Sequence, residues 1–158
     1  MTSFKGRKCV FFDRDGVLNY SLTINGRPFA PRNIDEFKII PGSTHCVNSL
    51  GKMGYLIIVV TNQPDLSTGK ISFEILNSFH EILLKTMQIT EIFYCSHTDK
   101  DDCSCRKPKI GLLQKAIEKY DIDVSKSYFI GDRWRDVECA KNAYIKSIFI
   151  DYGYQEKL

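Results

Sequence analysis

The stretch YLIIVV, residues 55–60, is apolar without a break and rich in β-branched side chains. A strand with one wet face alternates apolar and polar residues, so an unbroken run calls for cover on both faces. Four more short β-forming runs occur at residues 8–12 (KCVFF), 91–95 (EIFYC), 127–130 (SYFI) and 147–151 (SIFID). Between them lie stripes at helical spacing. Cys46, Val47, Leu50 and Met53 mark residues 42–53. Ile75, Leu76, Phe79, Ile82, Leu83 and Met87 follow Ser72, a candidate N-cap. Leu112, Leu113, Ala116, Ile117 and Tyr120 mark residues 109–120, and residues 133–142 form the last helix. Residues 21–32 (SLTINGRPFAPR) read as a loop and 37–40 as a short extended piece. Strands alternating with helices predict an α/β fold, a doubly wound, mostly parallel five-stranded Rossmann-like sheet with helices on both faces. The 158 residues make one domain, residues 1–158, and no insertion is large enough for a cap domain.

Ligands of such sheets bind beyond the carboxyl ends of the strands. The groups there are Asp13 and Asp15 after the first strand, Thr61, Asn62 and Gln63 after the second, Arg106 and Lys107 beyond the third, and Asp132, Arg133 and Asp136 after the fourth. Each also suits a plain turn or cap, since Asp, Asn, Thr and Gly favour both. Jointly they suggest phosphoryl transfer. Asp13 and Asp15, two apart on an extended chain, face one side. Two close carboxylates resist joint ionisation unless a cation intervenes or one keeps its proton. Covalent phosphate-ester hydrolysis needs both states: an ionised Asp13 to attack phosphorus and a protonated Asp15 for the leaving oxygen. Mg²⁺, which prefers oxygen ligands, would sit on Asp13 and Asp132. Thr61 and Lys107 would hold the equatorial oxygens.

These stretches, FFDRDGVLN, VVTNQ, CRKP followed by GLL, and YFIGDRWRD, resemble the four motifs of the haloacid dehalogenase superfamily. Within it they are most similar to the branch of the heptose bisphosphate 7-phosphatases and histidinol-phosphate phosphatases, over residues 10–154. The resemblance implies Asp13 as nucleophile and Asp15 as acid/base. It also implies Mg²⁺ on Asp13, the Asp15 carbonyl and Asp132, and Asp136 behind Lys107 or a metal-bound water. Arg106 and Arg133 would contact substrate, and Asn19, Asn62 and Gln63 join them as candidate substrate-binding residues. The expected substrate is a small phosphorylated metabolite, a sugar phosphate or bisphosphate, with histidinol phosphate as the alternative. One departure stands out. TNQPDLSTG occupies residues 61–69 where heptose enzymes often read TNQSGIARG, which removes a cation near the site.

CSHTDKDDCSC, residues 95–105, places Cys95, His97, Cys103 and Cys105 in one short loop. Cys₃His is a tetrahedral set for structural Zn²⁺, and the branch named above carries such a loop just before CRKP. Clamping Cys105 would fix the backbone that delivers Arg106 and Lys107. Asp99, Lys100, Asp101 and Asp102 read as a solvated crest. Cys9, Cys46 and Cys139, single within apolar patterns, read as buried thiols, and Tyr152 and Tyr154 as packing residues. Arg27 and Arg32 could each meet a second phosphate, but the surface reading is preferred for both.

A net charge of +3 without blocks of like charge gives no nucleic-acid or membrane surface. No run is long enough to span a bilayer, and MTSFKGRK lacks a signal-peptide core. A cytoplasmic monomer is expected. Two rivals of other classes remain. A phospho-accepting receiver domain would place its aspartate after the third strand, where Cys95 stands. The other is a module whose zinc loop contacts nucleic acid or protein; the loop is acidic, which opposes DNA.

Overall fold

The computed structural model describes residues 6–156. Residues 1–5, on which the signal-peptide reading partly rests, and 157–158 of the tail lie outside the described residues. Five strands form one parallel sheet: β1 (Cys9–Phe12), β4 (Leu56–Asn62), β5 (Glu91–Cys95), β6 (Tyr128–Gly131) and β7 (Lys146–Phe149), in the order β5-β4-β1-β6-β7. β1 is central and pairs with β4 on one side and β6 on the other. The chain winds outward one way through β4 and β5, then crosses back for β6 and β7. That makes the β1/β6 boundary the switch point at which such sheets open a ligand crevice.

Alternation along the central strands sorts side chains to two cores. Cys9 and Phe11, with Leu56, Ile58 and Val60, pack against α3 (Gly111–Tyr120) and α4 (Trp134–Asn142) through Leu112, Leu113, Ala116, Cys139 and Ala140. Val10 and Phe12, with Ile57 and Val59, face α1 (Ser43–Lys52) and α2 (Phe73–Thr86) through Val47, Leu76, Phe79 and Leu83. This two-sided burial is what the unbroken apolar run of β4 requires. Ser72 caps α2 by accepting from the Ile75 amide at 3.2 Å.

Two expectations fail here. Cys46 is exposed, as is Met53. On a helix these two share one direction, about 100° away from Val47, so they fall on the outer flank of the stripe. Residues 21–32 are no plain loop either. They hold a hairpin, β2 (Leu22–Ile24) and β3 (Arg27–Phe29), turning through Asn25 and Gly26, both at positive φ. No helix among the described residues is long and apolar enough to cross a membrane.

Candidate active site

The carboxyl ends of β1, β4 and β6 meet at one cleft, lined by Asp13, Asp15, Asn62, Lys107, Asp132 and Asp136 together with a rim of other groups. Asp13 leaves β1 in sheet register, its amide donating to the Ile130 carbonyl at 2.9 Å. The Lys107 ammonium lies 3.0 Å from Asp13 Oδ1 and 2.7 Å from Asp136 Oδ1, and it donates to the Val60 carbonyl at 2.8 Å. All three charged groups are buried. Asn62 grips the backbone of Lys107 from both sides: its Oδ1 accepts from the Lys107 amide at 3.0 Å, and its Nδ2 donates to the Lys107 carbonyl at 3.2 Å. Sequence order hides this clamp, which joins the end of β4 to the loop after β5.

Burial would raise the Asp13 carboxyl, but the Lys107 ammonium and the Arg14 amide outweigh it, and the group stays ionised below its ordinary value. Burial alone would also strip Lys107 of its proton; Asp13 and Asp136 reverse that and hold it cationic. Such a pair has the polarity a carboxylate nucleophile beside a phosphate-neutralising lysine needs.

Asp15 is gripped differently. Arg14, fully buried, donates from Nε and Nη2 to Asp15 Oδ1 at 3.1 and 2.8 Å. Its third nitrogen, Nη1, reaches His80 Nε2 at 3.1 Å, which makes that nitrogen the acceptor and leaves His80 neutral with its proton on Nδ1. The guanidinium lies 5.8 Å from the Phe37 ring centroid and 5.6 Å from that of Phe79. Asn19 Nδ2 adds a bond to Asp15 Oδ1 at 2.9 Å, and Gln63 Nε2 donates to Asp15 Oδ2 at 2.8 Å and to Thr61 Oγ1 at 3.0 Å. Asn19, Gln63 and Thr61 are buried beneath the cleft. The structure therefore places Asn19 and Gln63 behind Asp15 rather than on the substrate-facing wall.

Asp13, Asp132 and Asp136 can offer ligand atoms all within 4.8 Å of one another. Burial, compounded by the charges of Asp13 and Asp136, pushes Asp132 up to about 9. Burial and Asp13 push Asp136 up to about 7 against the pull of Lys107. Asp132 Oδ1 is buried with no hydrogen-bond partner. An all-oxygen set under mutual repulsion, with one orphaned oxygen, fits a hard divalent cation such as Mg²⁺. Beside the expected Asp13 and Asp132, the side-chain cluster includes Asp136. Gly16, at φ +82°, is required where it stands, because a Cβ there would lie 1.9 Å from Asp132 Oδ2.

In the sulfur loop, Cys95 Sγ and His97 Nδ1 lie 3.3 Å apart, His97 Nδ1 and Cys105 Sγ 3.3 Å, and Cys95 and Cys103 Sγ 3.7 Å. Ligands around a tetrahedral Zn²⁺ with ordinary bond lengths sit about 3.5–3.8 Å apart. The four residues fit that ion, and Arg106 follows directly, its amide donating to Cys103 Sγ at 3.3 Å. Asp99 is exposed, as a crest residue should be, but it does more than face solvent. It accepts from Arg106 Nε at 2.9 Å and from Arg135 Nη2 at 3.0 Å, tying the loop to the first turn of α4.

Sequence reasoning also passed over Lys70 and Arg135 on the rim. Arg32 lines the cleft as well, paired with Asp65 at 3.0 Å, although it read as a surface residue. Asp65 belongs to the departing PDLSTG segment, so a cation is present where that segment lacks one. Pro28, Phe29 and Ala30 of the hairpin form an apolar patch of wall. The tail holds more than packing residues: Tyr154 Oη donates to Asp132 Oδ2 at 2.9 Å.

Residues 8–147 match the family described as polynucleotide kinase 3 phosphatase. The D-glycero-beta-D-manno-heptose-1,7-bisphosphate 7-phosphatase of Pasteurella multocida is 36% identical over 152 residues, 89% of this chain and 79% of that one. The chain belongs to this family, within the haloacid dehalogenase superfamily. The Pseudomonas aeruginosa enzyme of the same name is 30% identical over 152 residues, 93% of this chain and 83% of its own. A crystal structure of the D,D-heptose 1,7-bisphosphate phosphatase of B. bronchiseptica, complexed with magnesium and phosphate, superposes with a TM-score of 0.78. It is 29% identical, over 89% of this chain and 78% of that one. Between β1 and α1 the hairpin of β2 and β3 supplies the only strands among the described residues.

Proposed function

We propose that this protein is a Mg²⁺-dependent phosphomonoesterase that removes a phosphoryl group from a sugar bisphosphate through an aspartyl-phosphate on Asp13. The observation that carries the reading is the buried Asp13–Lys107–Asp136 triad at the end of β1, with Asp15 held beside it by four donors. An Asp13 oxygen attacks phosphorus, and the bond from phosphorus to the ester oxygen breaks. Asp15 gives its proton to the departing oxygen. Asp15 then takes a proton from water as that water attacks the phosphorus of the acyl phosphate, which releases inorganic phosphate and restores Asp13. Lys107 neutralises charge on the transferred group, and Asp136 and Asn62 keep it in place. Mg²⁺, when held by Asp13, Asp132 and Asp136 or the Asp15 carbonyl, supplies charge neutralisation for an anionic ester approaching an anionic nucleophile. Zn²⁺ on Cys95, His97, Cys103 and Cys105 is structural.

The rim favours a second anionic group. On the rim, apart from the cluster of Asp13, Asp15, Lys107, Asp132 and Asp136, stand Arg32, Lys70, Arg106, Arg133 and Arg135, while their ion-pair carboxylates are Asp65, Asp99 and Glu156, so five rim cations meet three acids. Arg106 and Arg135 share the exposed Asp99, which leaves surplus positive charge for a phosphate away from the reacting one. This is the feature a bisphosphate would exploit. Relatives named for heptose 1,7-bisphosphate make that compound the first to test. We place the protein as a monomer in the cytoplasm.

The experiment is phosphate release from a panel of sugar phosphates, sugar bisphosphates, histidinol phosphate and a 3′-phosphorylated oligonucleotide, with and without Mg²⁺. Turnover of a sugar bisphosphate, lost without Mg²⁺ and lost in Asp13→Asn, is expected. Preference for the oligonucleotide or histidinol phosphate would overturn the substrate class. No turnover of any ester would overturn the enzyme.

A further inference from the structure

The segment after β7 closes on four separate parts of the site. Tyr152 Oη donates to the Gly16 carbonyl at 2.9 Å, in the loop that follows the nucleophile. Tyr154 Oη donates to Asp132 Oδ2 at 2.9 Å, at the end of β6. The Gln155 amide donates to the Gly26 carbonyl at 2.9 Å, in the hairpin turn, and the Gln155 side chain lies against Gly26 itself. Glu156 accepts from Arg133 Nε and from the Trp134 amide, at the start of α4. The rings of Tyr152 and Tyr154 contact each other with centroids 5.5 Å apart, so the segment is braced internally as well.

The pattern at Asp132 is specific. One oxygen, Oδ2, is fixed between the tyrosine hydroxyl and Gly16, and the other, Oδ1, is buried with no partner. A hydrogen bond at one oxygen, with Gly16 packed against it, restrains rotation about the terminal bond and so biases the free oxygen to one direction. We propose that residues 152–156 are a strap that builds this edge of the site, with Tyr154 the positioning residue for Asp132 and Glu156 the positioning residue for Arg133. The strap also fastens the hairpin wall to the carboxylate cluster, so the substrate-facing wall and the cation ligand share one anchor. The idea rests on Asp132 being a cation ligand, as read above.

Calorimetric titration of Mg²⁺ into the full chain tests it. Partners behind a metal ligand are worth about 10–100-fold in metal affinity. Tyr154→Phe is therefore expected to weaken Mg²⁺ binding about 10-fold with the melting temperature nearly unchanged. Glu156→Gln is expected to raise KM for the phosphate ester while leaving kcat and Mg²⁺ affinity near wild type. Wild-type or tighter Mg²⁺ binding by Tyr154→Phe overturns the strap and leaves the phosphatase standing. No Mg²⁺ binding by the wild type overturns both. Amide exchange in the unmodified protein provides a check independent of any variant's folding. Protection of residues 152–156 should rise on adding Mg²⁺, and unchanged or falling protection counts against the strap.

Discussion

Arg14 carries more of the site than its place in the sequence suggests. Nothing in the flanking sequence marks it for burial, yet it is fully buried, with every side-chain nitrogen engaged by Asp15 or His80. Its shelter comes from Phe37 and Phe79, on separate segments of the chain, and no local pattern announces that. Asp13 and Asp15 were legible because they directly follow a strand-forming run, and Lys107 because it stands in CRKP beyond another. Replacing Arg14 by Met keeps bulk but frees Asp15 to rotate; kcat should drop by about 100-fold, the lower range for displacing a general acid, the role proposed for Asp15, as read by steady-state kinetics. His80 supplies a pH signature. Burial and the Arg14 charge press it down to about 3 from an ordinary 6.5. As pH falls below 6.5 the unfolded chain takes up a proton that the folded one refuses, so stability is lost with falling pH until about 3 and is unaffected by this group above 6.5. The slope is about 1.4 kcal/mol per pH unit. Urea unfolding at pH 7 and pH 5 should therefore show a wild-type loss exceeding that of His80→Gln by about 2 kcal/mol; equal losses would refute the assignment.

Among the elements, the sulfur loop was the most readable and the hairpin the least. Four ligands within residues 95–105 are a local pattern, and the structure gathers them. The hairpin strands are only three residues long, and β3 carries Pro28, so their composition is that of a loop. What makes them a pair is the positive-φ turn at Asn25 and Gly26 and the anchoring of Gly26 by Gln155. The Asp99 bridge was equally hidden, because its partner Arg135 is 36 residues away. The loop's fastening has a mechanical corollary. Cys105→Ser, or removal of zinc by a chelator, should release both Asp99 and the backbone of Arg106 and Lys107. We expect turnover to fall at least 10-fold, while far-UV circular dichroism stays near wild type, since β1, β4 and β6 do not depend on the loop for their pairing. Loss of zinc measured by metal analysis without any loss of turnover would separate the loop from catalysis.

At the scale of the molecule, the periodicities of the sequence specified the layers, because burial on both faces leaves a strand no alternative to helices above and below. Strand order was not specified by them. It emerges from the crossover between β5 and β6, and with it the position of Asp13 at the middle of the sheet rather than at an edge. A central strand flanked by pairing on both sides exchanges its amide hydrogens only when the whole domain opens. Phe11, Phe12 and Asp13 should thus rank with the slowest-exchanging amides, and β7, whose residues are all exposed, with the fastest of the sheet. The group that would be phosphorylated is then rooted in the most persistent part of the protein. Wear at the periphery, whether by proteolysis, fraying or a poorly tolerated substitution, would blunt substrate selection long before it disturbed the proposed nucleophile.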